Sequence, residues 1–172
     1  VSPDIAHKTE AGGVCLGVSG ATAIAETVAS MAQHLRGTCP SARIDGWLLS
    51  EMAPEGVDCL VGLRHDPAVG RVVVFGAGGV MTEWLEDVVV RLAPVNVAEA
   101  REMIGETRIA RLLRGYRGSE PADVDALAAA ISAISRWIPE QGAACDLEVN
   151  PLRVLPQGQG VLALDALISA SA

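Results

Sequence analysis

A chain of 172 residues with 13 basic against 21 acidic side chains carries a net charge of −8; half of its residues are hydrophobic but only 3% are aromatic. That length suits one domain or two lobes and buries a core without help from disulfides or metal. The acidic balance argues against a nucleic-acid binder, which needs a basic face, and so few rings leave no platform for stacked bases.

The first twelve residues are polar and read as a loop that ends on Gly12 and Gly13. A short strand is expected over 14–19, then a helix over 21–36, where Ile24, Val28, Met31 and Leu35 recur at helical spacing. Ser19 or Thr22 would cap that helix and Gly37 would stop it. Apolar runs over 44–52, 57–64 and 71–75 follow, divided by turn residues at 53–56 and by Asp66, Pro67 and Gly70. Those dividers predict antiparallel neighbours. A strand is expected over 87–92 and short helices over 97–104 and 109–113. A longer helix is expected over 121–138, with Pro121 near its start and Val124, Leu127, Ile131, Ile134 and Ile138 on one stripe. Strands over 144–149, 152–155 and 161–168 close the chain. The order is that of an α/β protein with a β-rich second half.

Cys15, Cys39, Cys59 and Cys145 are too widely spaced for a zinc or redox motif and read as small hydrophobes in a reducing cytoplasm. No apolar stretch approaches the ~20 residues that span a bilayer, and no export signal is visible, so neither membrane nor secretion is expected. The chain opens on Val1, and Ser2, Pro3 and Asp4 read as interior sequence, so an upstream part is expected.

Three places carry possible chemistry. His7 lies between Asp4, Lys8 and Glu10; a neighbouring Lys keeps an imidazole neutral and nucleophilic, although a solvated surface His is the plainer reading. Gly76, Gly78 and Gly79 form a glycine loop after an apolar run. It fails the dinucleotide pattern, because the third glycine would fall on Met81, yet its N–H groups can face phosphate; a simple hairpin is the alternative. The third is Asp146, Glu148 and Asn150, which strand alternation places on one face, with Asp165 on the next antiparallel strand. Such an all-oxygen set suits Mg²⁺, with phosphate and water as further ligands, whereas the plainer reading is an exposed strand face.

Four stretches together resemble the ATP-grasp domain of NDP-forming acyl-CoA synthetases, relatives of the ADP-forming acetyl-CoA and succinyl-CoA synthetases. They are Ser-Pro-Asp-Ile-Ala-His-Lys from residue 2, Asp-Pro-Ala-Val-Gly from 66, Phe-Gly-Ala-Gly-Gly-Val-Met-Thr-Glu from 75 and Asp-Leu-Glu-Val-Asn-Pro-Leu from 146. The resemblance runs the whole chain in order. It implies a two-lobed ATP-grasp fold, N-terminally incomplete, with residues 1–50 from the first, nucleotide-binding lobe and 51–172 forming the second lobe with the metal site.

By the same resemblance, the unit exchanges a phosphoryl group between ADP or ATP and a phosphohistidine on a CoA-ligase domain, with Mg²⁺. The parent enzyme would also use CoA. His7 matches a second phosphoryl carrier on a mobile loop, and Glu148 matches a glutamate facing the phosphohistidine. Asn150 and Asp165 match the metal ligands. Ser50, Glu51 and Met52 match the hinge that meets adenine, and Asp58, where a glutamate is usual, would lie on the ribose side. Gly76, Gly78, Gly79 and Glu83 match the loop lining the active site. Val69 stands where a Phe is usual, and the family's ATP-binding lysine would lie upstream of Val1. Implied partners are the CoA-binding and CoA-ligase domains or subunit of the parent synthetase, in a homo- or hetero-oligomer. The alternative is a regulatory, nucleotide-binding module attached to a protein acetyltransferase; a mere subunit-contact piece is a third reading.

Overall fold

A computed structural model describes residues 1–5, 8–79, 87–137 and 145–170. The chain divides into two compact units, Val1–Met52 and Ala53–Ala172. The first holds one helix, α1 (Ala21–Thr38), whose N-cap is Gly20 without a side-chain cap, rather than Ser19 or Thr22. The helix also runs through Gly37 and closes where the Cys39 N–H donates to Leu35 O. The expected strands over 14–19 and 44–52 are not formed. Their apolar residues favour extended chain, but a strand exists only within a ladder of hydrogen-bonded neighbours, and among the described residues neither segment joins one. Residues 43–46 are instead tied to the N-terminal segment: the Asp4 carboxylate accepts from Arg43 N and Val1 O accepts from Asp45 N.

The second unit is a six-stranded antiparallel sheet with helices on one face. Its elements are β1 (Val57–Asp66), β2 (Gly70–Ala77), β3 (Val88–Leu92), α2 (Val97–Glu106), α3 (Ala110–Leu113), α4 (Val124–Ser135), β4 (Cys145–Val154), β5 (Val161–Ala163) and β6 (Ala166–Ala170). Strand order is β3-β2-β1-β4-β5, with β6 also on β4. The turn between β1 and β2 follows from local chemistry: the Asp66 carboxylate accepts from Ala68 N and Val69 N, and Gly70 takes φ 87°. Helix α2 begins with a reciprocal cap, Asn96 accepting from Ala98 and Glu99 N–H while Glu99 accepts from Asn96 N–H.

Alternation along the strands builds the core. Cys59, Val61, Leu63, Val73, Phe75, Val149, Leu152 and Val154 point to the helix side and are buried against Met103, Leu113, Leu127 and Ile131. The stripe expected on the long helix supplies Leu127 and Ile131, but α4 starts at Val124 rather than at Pro121, because Asp123 is its cap. Ile138 lies outside the described residues. The strands expected over 144–149 and 152–155 are one strand, β4, and that expected over 161–168 is broken into β5 and β6. Among the described residues no helix is long and apolar enough to cross a membrane.

Candidate functional site

The merger of two expected strands into β4 positions the site. Against β1, Cys59 pairs with Leu152 but Val61 pairs with Val149, so β4 carries one extra residue there. This is a β-bulge at Asn150 and Pro151, a natural place for one because proline has no N–H to give to a ladder. Alternation therefore carries Asp146 and Glu148 together but stops at Val149, after which the next buried residue is Leu152.

The opposite edge of β4 is interrupted at the same level. Leu152 pairs with Ala163 and Val149 with Ala166, which puts Asn150 opposite Asp165. The Asn150 N–H donates to Asp165 O at 3.1 Å, and Leu164 N donates to Pro151 O at 3.0 Å. The two breaks face each other, with Asn150 and Asp165 at paired backbone positions; the Asp165 carboxylate accepts from Ala166 N at 3.1 Å. Amide and carboxylate oxygens match a hard divalent cation such as Mg²⁺, which takes one or two protein ligands and completes its shell with phosphate and water. Among the described residues no group of three or more His, Cys, Asp or Glu gathers into a metal cluster.

The glycine loop closes on the bulge. Gly78 N donates to Asp58 O at 3.0 Å, and Gly79 N donates to Asn150 Oδ1 at 2.8 Å. A Cβ at position 78 would fall 2.3 Å from the Cys59 carbonyl carbon, so only glycine lets β2 end this close to β1. Gly79 adopts φ 59°, with its open side toward the Asp58 carboxylate. Gly76 is inside β2, paired with Leu60 and with Val88. The N–H groups of Gly78 and Gly79 thus point to protein oxygens, where phosphate had been expected.

Asp58, expected on the ribose side, has both carboxylate oxygens on the Arg153 guanidinium, at 2.8 Å from Nε and 3.0 Å from the second nitrogen. Such a forked pair is strong for an ion pair, and it raises the Arg153 pKa, chiefly through the hydrogen bonds. The guanidinium also donates to Pro54 O at 3.2 Å. Next to Asp58, burial and that negative charge push the Cys59 thiol up to about 12, which makes it an inert core residue.

On the face away from the helices, Glu148 accepts from Arg64 at 3.1 Å, and the Asp146 carboxylate accepts from His65 N at 3.0 Å. His7 and Glu83 lie outside the described residues. Ser50, Glu51 and Met52 are exposed, extended chain at the end of the first unit. In that unit His34 packs on the loop that follows His7: a Cβ on Gly12 would meet its ring at 2.8 Å.

Two residues escaped the sequence reading. Arg153 is 95 positions from its partner and nothing local marks it. Asp123 is nearly buried, caps α4 through Ala126 N, and accepts from Gly158 N and Gly160 N in the turn between β4 and β5. Those N–H groups, Ala126 first, hold its carboxyl below the usual range. The signal available for Asp123 was an Asp four residues before the apolar stripe reaches Leu127; Pro121 drew the helix start instead.

Residues 1–169 match the model of an ATP-grasp domain. The chain is 38% identical over 162 residues to the ADP-forming acetate–CoA ligase I of Archaeoglobus fulgidus, covering 94% of this chain and 24% of that protein. It is 31% identical to the beta subunit of the ADP-forming acetate–CoA ligase II of Pyrococcus furiosus, covering 98% and 72%. Among solved structures, the dinucleotide-forming acetyl-coenzyme A synthetase 1 of Ca. Korarchaeum cryptofilum superposes with a TM-score of 0.80 at 32% identity, covering 99% and 73%. That structure holds coenzyme A and Mg-AMPPCP, with its phosphohistidine segment toward the nucleotide site. The chain therefore spans about a quarter of the length of the Archaeoglobus relative and most of the Pyrococcus subunit.

Proposed function

The chain belongs to the ATP-grasp domain family, and from that premise we propose that it is the phosphoryl-exchanging part of an ADP-forming acid–CoA ligase. The observation that carries the reading is the facing pair of strand breaks that sets Asn150 opposite Asp165. The ligase names of the relatives support it over a regulatory module attached to an acetyltransferase. The whole reaction links acyl-CoA, ADP and phosphate to the free acid, CoA and ATP. This chain would act with the CoA-binding and CoA-ligase domains or subunit, in an oligomer, in the cytoplasm.

In this reading residues 1–50 belong to the nucleotide lobe and 51–172 to the second lobe. Asn150 and Asp165 would hold Mg²⁺ through their side-chain oxygens, and the ion would supply positive charge to offset that on the oxygens of the transferring phosphoryl group. Glu148 accepts a hydrogen bond from the imidazole of the partner's phosphohistidine and orients it, with Arg64 holding the carboxylate in place. The N–P bond breaks with its electron pair left on the imidazole, and an oxygen of the ADP β-phosphate takes the phosphorus. His7 serves as a second carrier. Ser50, Glu51 and Met52 meet adenine, and Gly76, Gly78, Gly79 and Glu83 line the site.

Calorimetry of the full-length protein with ADP, in Mg²⁺ and in chelator, tests the site. Metal-dependent ADP binding is expected in the wild type and lost in Asp165→Asn; wild-type binding that ignores the metal would sink the reading. In ³²P exchange with the partner domains present, His7→Ala is expected to lose label transfer, and unchanged transfer removes its carrier role.

A further inference from the structure

Asn150 offers a cation only its single amide oxygen, so the site depends on which way that amide faces. In the structure a donor selects the oxygen: Gly79 N–H, at 2.8 Å from Oδ1. Gly79 cannot hold this position alone, since a glycine with φ 59° has little intrinsic preference for one conformation. Its seat is built from Asp58, whose carbonyl accepts from Gly78 N and whose carboxylate lies beneath the open side of Gly79. Asp58 is in turn clamped by both arms of Arg153, and Arg153 reaches Pro54 O in the chain that leads into β1. Gly56 completes the clamp, because a Cβ there would fall 2.5 Å from Val154 O and 2.8 Å from Arg153 Cγ.

We propose that Arg153 is a positioning residue for the proposed metal ligand Asn150: through Asp58 it seats the Gly78–Gly79 turn, whose Gly79 N–H fixes which way the Asn150 amide faces. The proposal rests on the reading of Asn150 and Asp165 given above, and it moves Asp58 from the ribose side to the support of that site. The half-buried Asp58 carboxylate explains why the guanidinium is needed. Left without it, that carboxylate would turn out to water and take the carbonyl that holds Gly78 with it. A lysine would keep the charge but lose the fork.

Two readouts on the full-length protein test this, one of which needs no ligand. Hydrogen exchange should find the Gly79 amide protected in the wild type. In Arg153→Met it should exchange about tenfold faster or more, with Arg153→Lys between, while core amides such as Val61 stay within about twofold. Calorimetry should then show the metal-dependent gain in ADP affinity falling about tenfold in Arg153→Met, as for other lost supports of metal ligands, with ADP binding in chelator unchanged. In an Asn150→Ala background, Arg153→Met should cause no further loss. Asp58→Asn, which keeps shape and carbonyl, should follow Arg153→Met and serves where that variant folds poorly. Unchanged Gly79 exchange in the Arg153 and Asp58 variants, or losses that multiply with Asn150→Ala, overturns the proposal. Released Gly79 in a protein whose wild type ignores Mg²⁺ upholds the support of Asn150 and removes the functional reading instead.

Discussion

The two faces of the sheet in Ala53–Ala172 are built from the same strands and do opposite work. Toward the helices, Val61, Leu63, Val73, Phe75 and Val154 are all 0% exposed. Toward the other side, the same strands carry Asp58, Arg64, Glu148 and Arg153, joined in ion pairs, beside exposed Val88, Val90 and Leu92. The period of two sorts stability from chemistry residue by residue. At Asn150 and Pro151 the alternation itself shifts by one residue, and that is where the candidate site lies. A bulge re-aims one side chain without disturbing the buried row on either side of it.

Substitutions on each face should break or sharpen this contrast. Phe75→Ala, on the helix side, should cost about 4 kcal/mol in urea unfolding; a loss below about 1 kcal/mol would mean that this face is not the core. Gly78→Ala should cost on the order of 3 kcal/mol, since its methyl group has no room against the Cys59 backbone. A wild-type-like Gly78→Ala would show that β1 and β2 can part at no cost.

Asp123→Ala joins neither face but ties helix α4 to the hairpin of β4 and β5, and should cost about 2 kcal/mol. Its carboxyl is held below the usual range, so its contribution is complete above that range and is lost as pH falls through it toward the lowered value. The stability gap between wild type and Asp123→Asn should therefore narrow below about pH 4, the ordinary Asp range. A gap that widens on acidification would contradict the assignment. The smallest change belongs to the exposed face: Arg64→Ala should alter stability by less than about 0.5 kcal/mol, because exposed pairs are screened. Phosphoryl exchange with the partner domains should nevertheless slow, as Glu148 loses its tether; a normal rate would leave Arg64 without a role there.

Much of this was legible in consecutive residues. Asp66 and Gly70 announce the turn between β1 and β2, Asn96 with Glu99 announces the start of α2, and Leu127 with Ile131 marks the buried side of α4. Asp146, Glu148 and Asn150 do share one strand, β4, and the Gly-rich turn after it brings Asp165 alongside. Other features were beyond local reading. Residues 14–19 and 44–52 have the composition of strands and, among the described residues, join no ladder, because composition favours extension but cannot supply a partner strand. The glycine loop fits a phosphate cradle or a simple hairpin equally well by sequence; only the structure shows that the N–H groups of Gly78 and Gly79 are directed to Asp58 and Asn150.

The sequence by itself determined the α/β class, the order of most helices and strands in the second unit, and the family, since these rest on periodicity, turn chemistry and short motifs. Tertiary structure alone decided that two expected strands are one bulged strand, and that Asn150 meets Asp165 across it. It also decided that Arg153 closes on Asp58 from 95 residues away. Periodicity is a local property of the chain. The register of a ladder, and the partner of a charge, are set by which distant segments can pack together without leaving a polar group unmatched.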